Sequence, residues 1–176
     1  HQALMTEDGD GRNVAIGTGA LTNQNAGADA YNVAVGHNAG LSITTGVQNT
    51  LIGGLAGDAL ATGGFNVAVG YGALSSEDTG TRSVAIGWSA LKLQNYDGEA
   101  FNVAVGHNAG ASVTTGIENI VIGGLAGDAL TTGSSNIAIG HNALSAEDTG
   151  TGNIAIGNDA LEDFNYNGNG YSVVIG

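Results

Sequence analysis

Asn32-Val33-Ala34-Val35-Gly36 is a phrase that this chain keeps repeating. The phrase or a close variant starts at Asn13, Asn32, Asn49, Asn66, Ser83, Asn102, Asn119, Asn136, Asn153 and Ser172. The intervals are 19, 17, 17, 17, 19, 17, 17, 17 and 19 residues. Its grammar is a polar residue, a β-branched residue, a small or apolar one, Val or Ile, then Gly. A period this regular marks stacked repeats rather than one unrepeated core.

The phrase reads as a short strand closed by a turn. Val33 and Val35 lie two apart and share one side, while Ala34 points to the other. Val and Ile suit a pleated strand, and Gly36 permits a sharp exit. Seventeen residues cannot hold a strand plus a crossover helix, which together need about 30. They do hold two short strands and two tight turns, one coil of a β-solenoid. The expected fold is therefore all-β, a parallel β-solenoid of about ten coils, with equivalent residues about 4.8 Å apart along a rod about 45–50 Å long.

Other positions keep the same period. An Ala stands three residues after each phrase Gly, from Ala20 and Ala39 to Ala143 and Ala160, which predicts a narrow interior. In the 17-residue coils a Thr-Gly pair (Thr45-Gly46, Thr62-Gly63, Thr79-Gly80, Thr115-Gly116, Thr132-Gly133, Thr149-Gly150) marks the second turn, with Gly expected at positive φ. The 19-residue coils carry extra Asn, Gly and aromatic residues there, expected to bulge out of the stack as longer loops. Four coils make a 70-residue super-repeat, seen at 32–101 and again at 102–171. Residues 1–12 form a lead-in and 13–176 one repeat domain, both read as a segment of a longer chain. The lead-in includes Asp8-Gly9-Asp10-Gly11, read as a turn because an EF-hand loop needs further ligands and a closing Glu.

Composition removes several classes of function. The chain has 32 Gly, no Pro and no Cys, and a formal charge of −13. That charge opposes nucleic acid and anionic bilayers as partners. No apolar run approaches the ~20 residues of a membrane-spanning helix, so no membrane insertion is expected of this segment. Disulfides and Cys-ligated metals are absent.

Both faces of the phrase strand are apolar, yet a thin roll has one interior. The second face must be covered by something else, or it forms a long exposed apolar stripe. The small side chains at Ala34, Ala68 and their equivalents suit close approach by an identical neighbour, which places the β-branched face, with Val69 at mid-rod, inside. Either assignment predicts an oligomer.

The Asn-Val-Ala-Val-Gly and Asn-Ile-Ala-Ile-Gly phrases followed by x-x-Ala resemble the head repeats of YadA-type trimeric autotransporter adhesins, and similar repeats occur in bacteriophage tail-fibre proteins. The resemblance covers essentially all of residues 13–176. It implies a left-handed parallel β-roll, a homotrimer about one axis, and an extracellular place on a bacterial surface or virion tail. It also implies attachment to a cell-surface glycan or protein receptor. The 17- and 19-residue coils and the frequent Ala-Leu after the Gly depart from the usual adhesin head.

Few residues suggest other chemistry. The row of Asn at the phrase start reads as a hydrogen-bonded structural ladder, the alternative being a sugar-binding row. His37, His107 and His141 follow the phrase Gly and read as solvated turn residues, with a metal or anion site as the alternative. The acidic pairs Glu77-Asp78 and Glu147-Asp148 read as a solvated charged face, not glycosidase carboxylates. No nucleophile–His–acid set or phosphate loop is present, so no enzyme activity and no cofactor is expected. Thr45, Thr62 and Thr79, with Thr115, Thr132 and Thr149, form single-file ladders, a narrow basis for ice binding. Residues expected to touch a receptor are Tyr31, Tyr71, Trp88, Tyr96, Phe101, Asn165, Tyr166 and Tyr171. Those in the 19-residue coils lie on the longer loops.

Overall fold

The computed structural model describes residues 3–6, 11–165 and 171–176. Each phrase forms one three-residue strand: β1 Val14–Ile16, β2 Val33–Val35, β3 Thr50–Ile52, β4 Val67–Val69, β5 Val84–Ile86, β6 Val103–Val105, β7 Ile120–Ile122, β8 Ile137–Ile139, β9 Ile154–Ile156 and β10 Val173–Ile175. All ten pair in parallel, in chain order, in a single sheet. The register follows the repeat: Val33 faces Thr50, Thr50 faces Val67, Val67 faces Val84. This is a β-solenoid of about nine turns, and the described residues contain no helix. Below, coil n starts at the polar residue before strand βn.

Each coil contains one strand, not the two expected. The second and fourth residues after the phrase Gly take positive φ in coil after coil, as in Asn38 (56°) with Gly40 (59°), and Ser89 (54°) with Leu91 (47°). Two left-handed residues so close together cannot extend as a strand. That wall is therefore a succession of turns. Coil-to-coil hydrogen bonds still run through it, for example Leu91 N–H to Ala109 O at 3.0 Å and Leu93 N–H to Ala111 O at 3.2 Å.

The interior is the Ala face of the strands. Ala34, Leu51, Ala68, Ala85, Ala104, Val121, Ala138 and Ala155 are fully buried, whereas Val33, Val35, Val67 and Val69 point outward and are only half-buried. The expected placement of the β-branched face inside is thus reversed. The narrow roll decides it, because the strand centre faces the buried Ala at Ala39, Ala56, Ala73 and their equivalents across a space too thin for two branched layers.

Core volume is balanced by a compensating pair of positions. Coils 2, 3, 6 and 7 place Gly40, Gly57, Gly110 and Gly127 four residues after the phrase Gly, and Ile43, Leu60, Val113 and Leu130 three residues later fill the space. A Cβ on Gly57 would stand 2.8 Å from both Leu51 Cδ2 and Leu60 Cδ1. Coils 4, 5 and 8 do the opposite, with Leu74, Leu91 and Leu144 at the first position and Glu77, Gln94 and Glu147 at the second, all buried.

The Asn ladder is present as expected. Asn49 Oδ1 accepts from Asn66 N–H at 3.0 Å, and Asn66 Oδ1 accepts from Ser83 N–H at 3.0 Å. Each amide also donates across its own coil, as Asn66 Nδ2 does to Gly80 O at 2.9 Å. These buried amides satisfy the backbone where the chain turns into the strand. The Thr-Gly glycines differ from expectation: none from Gly46 to Gly150 takes positive φ. Glycine is needed there for close approach, because a Cβ on Gly63 would lie 2.5 Å from Gly80 O of the next coil. At the first end of the stack Leu4 N–H bonds Ala20 O at 3.1 Å. The turn expected at Asp8-Gly9-Asp10 lies outside the described residues.

Candidate functional site

The outer face of the sheet concentrates the exposed apolar surface. Along each coil the outward positions are the residue before the phrase, the two β-branched residues, and the residue after the phrase Gly. In coils 4 and 5 these are Phe65, Val67, Val69 and Tyr71, then Arg82, Val84, Ile86 and Trp88. Ile16, Ile52, Phe65, Tyr71, Ile86, Trp88, Phe101, Ile120 and Ile122 are all substantially exposed here. Stacking joins them into a β-branched field with one mixed column along each margin.

The first margin is built from residues held at positive φ, among them Arg12, Tyr31, Gln48, Phe65, Arg82, Phe101, Glu118, Ser135 and Tyr171. Its Arg residues tie the 19-residue coils to the stack. The Arg82 guanidinium lies 5.2 Å from the Phe65 ring centre and 5.9 Å from that of Phe101, and its Nε reaches Glu99 Oε1 at 2.8 Å. Arg12 repeats the arrangement with Tyr31 at 5.8 Å and Asp29 at 3.1 Å. Tyr31 and Phe101 thus belong to exposed clamps. The third 19-residue coil lacks the cation, because Gly152 stands where Arg12 and Arg82 stood and the Tyr171 ring packs over it. Arg82→Ala is expected to cost about 1 kcal/mol from the cation–π contacts and the exposed ion pair together. Differential scanning calorimetry checks this as a fall in Tm of about 2–4 °C.

The longer loop of coil 5 is built into the stack instead of bulging from it. Thr81 N–H bonds Gly98 O at 2.8 Å, Ala100 N–H bonds Thr81 O at 3.1 Å, and Thr81 pairs with Glu99 as a parallel bridge. Tyr96 N–H donates to Glu77 Oε2 at 3.3 Å, and Thr79 Oγ1 donates to Asp97 Oδ1 at 2.6 Å. Shortening this loop therefore removes stacking contacts. A hollow of about 410 Å³ beside it is lined by Asp78, Asn95, Tyr96, Asp97 and Thr115.

Glu77 and Glu147 correct the reading of a solvated charged face. Both are fully buried, and they occupy the column that Leu60 and Leu130 fill elsewhere. Glu77 Oε1 accepts from Gly80 N–H at 2.7 Å, and its Oε2 accepts from Gln94 Nε2 at 2.9 Å. Gln94 Nε2 also donates to Ser83 Oγ at 2.8 Å, while Gln94 Oε1 accepts from Asn102 Nδ2 at 2.9 Å. Ser83 breaks the Asn row here, and its hydroxyl accepts from Gln94.

The second margin contains Thr18, His37, Tyr71, Trp88, His107, His141 and Asn158. His107 and Trp88 stack, with ring centres 5.0 Å apart and planes 9° from parallel. Tyr71 instead lies over Gly54, where a Cβ would stand 3.3 Å from its ring. His37, His107 and His141 occupy coils 2, 6 and 8 and are exposed. Among the described residues no group of three or more His, Cys, Asp or Glu side chains is placed to hold a metal ion. Asn165 is exposed and Tyr166 lies outside the described residues. Thr79, in one Thr file, is engaged by Asp97 and cannot serve a free hydroxyl array.

Around the turn from Trp88 runs an open groove of about 340 Å³, whose lining includes Trp88, Lys92, Leu93, Asn108, Ser112 and Asp128. Burial raises the pKa of the Asp128 carboxyl above the ordinary Asp value, against the lowering effect of backbone N–H groups. Asp58, one super-repeat earlier, is raised for the same reason. Sequence reading found Trp88 but missed Lys92 and Asp128, whose only signal was their place two turns beyond the phrase. Comparison of the chain with protein-family models, curated proteins and solved structures gives no match.

Proposed function

We propose that this chain is a stiff, non-enzymatic segment of an extracellular fibre, a homotrimer on a bacterial surface or virion tail that attaches to a cell-surface receptor. The observation that carries this reading is the exposed outer face of the parallel sheet. Parallel sheets are normally covered on both faces, because a solvated apolar face is unfavourable. Ten strands at about 4.8 Å, each presenting its two outward strand residues over about 10 Å, give a field of roughly 500 Å² between the margins. That is as large as the ~300–600 Å² of the largest apolar patch on a typical monomer, a patch that is often functional. Identical copies supply the complement: β-branched columns at one repeat distance on every chain. Three chains around one axis would cover all three faces; the number and the left-handed winding follow the resemblance to trimeric adhesin heads. Such a rod holds its margins and turns outward, where receptor contact belongs.

Sedimentation velocity tests the reading. The wild-type chain is expected to be an elongated trimer at micromolar concentration. Val69→Asp puts a carboxylate in the middle of the outer face, where a single chain leaves it half in water, so the protomer keeps its strands. Burying three such charges at a subunit interface costs several kcal/mol each. The variant is expected to sediment as a folded monomer with unchanged circular dichroism. A wild-type chain that stays monomeric overturns the assembly.

A further inference from the structure

The groove beside Trp88 is where the chain departs from its own repeat. One wall is ordinary: Asn108, Ser112 and Asp128 recur seventy residues earlier as Asn38, Ser42 and Asp58. The other wall is not. Trp88, Lys92 and Leu93 correspond to Thr18, Thr22 and Asn23 one super-repeat earlier, and to Asn158, Glu162 and Asp163 one later. Trp88 and Lys92 are also the only Trp and the only Lys in the chain. In a stack each unit meets only its neighbours, so side chains required by stacking recur where those neighbours recur. Residues that occur once, on a wall facing a repeated one, are not explained by the scaffold.

Their chemistry is that of a sugar site. Trp88 is 48% exposed and Leu93 46%, apolar surface left open to solvent. The indole is held by stacking on His107, and the Trp88 main-chain carbonyl accepts from Asn108 N–H at 2.9 Å, which fixes the wall to the next coil. Around this surface stand an amide at Asn108, a hydroxyl at Ser112, a partly desolvated carboxyl at Asp128 and the ammonium of Lys92. No ion pair joins Lys92 to Asp128 among the described residues, so both keep hydrogen-bonding capacity for a ligand. A pyranose has the matching form, an apolar C–H face edged by hydroxyls that donate and accept. A net charge of −13 and the Asp128 carboxyl repel an anionic sugar. About 340 Å³ lies at the small end of ligand sites.

We propose that the groove between Trp88, Lys92 and Asp128 binds a neutral pyranose of a surface glycan. The proposal deepens the attachment reading above by giving it a ligand class and a place. Three chains would carry three such grooves, so a weak single site becomes useful through avidity.

Because Trp88 is the only tryptophan, its fluorescence reports on the groove directly. The full chain is titrated with the methyl glycosides of glucose, galactose, mannose and N-acetylglucosamine, and with N-acetylneuraminate as the anionic comparison. At least one neutral glycoside is expected to give a saturable change with a midpoint in the millimolar range, on the order of 4 kcal/mol of binding. Lys92→Ala and Asp128→Asn are expected to weaken it at least about tenfold, and Asp58→Asn, in the repeat without the tryptophan wall, to leave it unchanged. Saturation-transfer NMR on the sugar protons, lost in Trp88→Ala, confirms contact independently of fluorescence. Absence of a saturable response to all four glycosides overturns the proposal. So does a response to N-acetylneuraminate alone, or one that Lys92→Ala and Asp128→Asn leave intact. Sedimentation of the same samples separates the two readings: a sugar-binding monomer sinks the assembly alone, and a trimer that binds none of these sugars sinks the groove alone.

Discussion

Gly123→Ala is expected to break the rod where coil 7 meets coil 8, while Gly124→Ala, one residue further on, leaves it intact. Gly123 closes β7 with φ +136°, a backbone conformation that a residue with a Cβ rarely adopts. A methyl there would overlap the carbonyl oxygen of Gly140, the equivalent glycine of the next coil. Neither partner can give way, because each N–H of this row bonds along the stack, as Gly140 N–H does to Ile122 O at 2.8 Å. Backbone strain of about 1–3 kcal/mol therefore adds to a steric overlap with main chain. Together they reach the exceptional range above about 4 kcal/mol, a large part of a typical domain's stability. Gly124 is free of both problems. Its φ is not left-handed, and the nearest atom to a new Cβ is His141 Cδ2 at 3.7 Å, ordinary contact. Alanine there also reduces the freedom of the unfolded chain, so the change is neutral or stabilising by a few tenths of a kcal/mol up to about 1. Soluble yield and thermal melting of the two variants check the pair. Similar behaviour of both would show that the stacked glycines are not in contact.

Much of this architecture was legible because a stacked coil writes its constraints at a fixed period. The ten phrases, the Ala row and the Asn ladder each fall at the positions the repeat demands. Which face of the strands points inward was not legible, and the reason is physical. A three-residue strand with apolar residues on both faces has no polar face, so the two-residue alternation that usually marks inside and outside is silent. The sequence does contain another signal, in the exchange between Gly40 with Ile43 and Leu74 with Glu77. Side chains that trade volume across coils must share one interior, and that interior holds Ala34 and Ala68, not Val33 or Val69. Positive φ was misplaced for a related reason. Glycine at the Thr-Gly turns answers the approach of the next coil, while left-handed backbone falls on Tyr31, Phe65, Arg82 and Phe101, bulky side chains that sequence propensity places elsewhere.

The margins were half legible. Tyr31, Tyr71, Trp88 and Phe101 stood out as aromatic residues at turns, and the structure puts all four on the edges of the outer sheet. What they pair with is set by neighbours one coil away, 17 to 19 residues distant in sequence. Arg82 between Phe65 and Phe101, and His107 on Trp88, become neighbours only once the register is known.

Glu77 carries the second large effect, and Glu77→Ala is expected to split the rod at the junction of coils 4 and 5. An acid that sequence reading sent to solvent is fully buried because Leu74, Gln94 and Gly80 close around it. Removing the carboxylate leaves Gly80 N–H, Gln94 Nε2 and Tyr96 N–H without this acceptor. Each unsatisfied buried donor costs about 1–3 kcal/mol, so the loss is on the order of 3–9 kcal/mol, with a small cavity in addition. In a stack stabilised by nearest-neighbour contacts such a loss is felt at one junction and not along the whole rod. The expected result is a fall in Tm of about 10 °C or more. Amide exchange should quicken most at Gly80, Tyr96 and Gly98, while coils 6–8 keep their protection. Glu77→Leu is expected to do no better, although Leu60 fills the same column, because Leu74 already occupies the space that Gly57 leaves free for Leu60. Glu77→Gln keeps one acceptor for Gly80 N–H but sets an amide N–H₂ against that of Gln94, giving an intermediate loss. If Glu77→Leu melted like the wild type, the pocket would be an apolar gap tolerant of any filling side chain. The hydrogen bonds from Gly80, Gln94 and Tyr96 would then be incidental to the joining of coils 4 and 5.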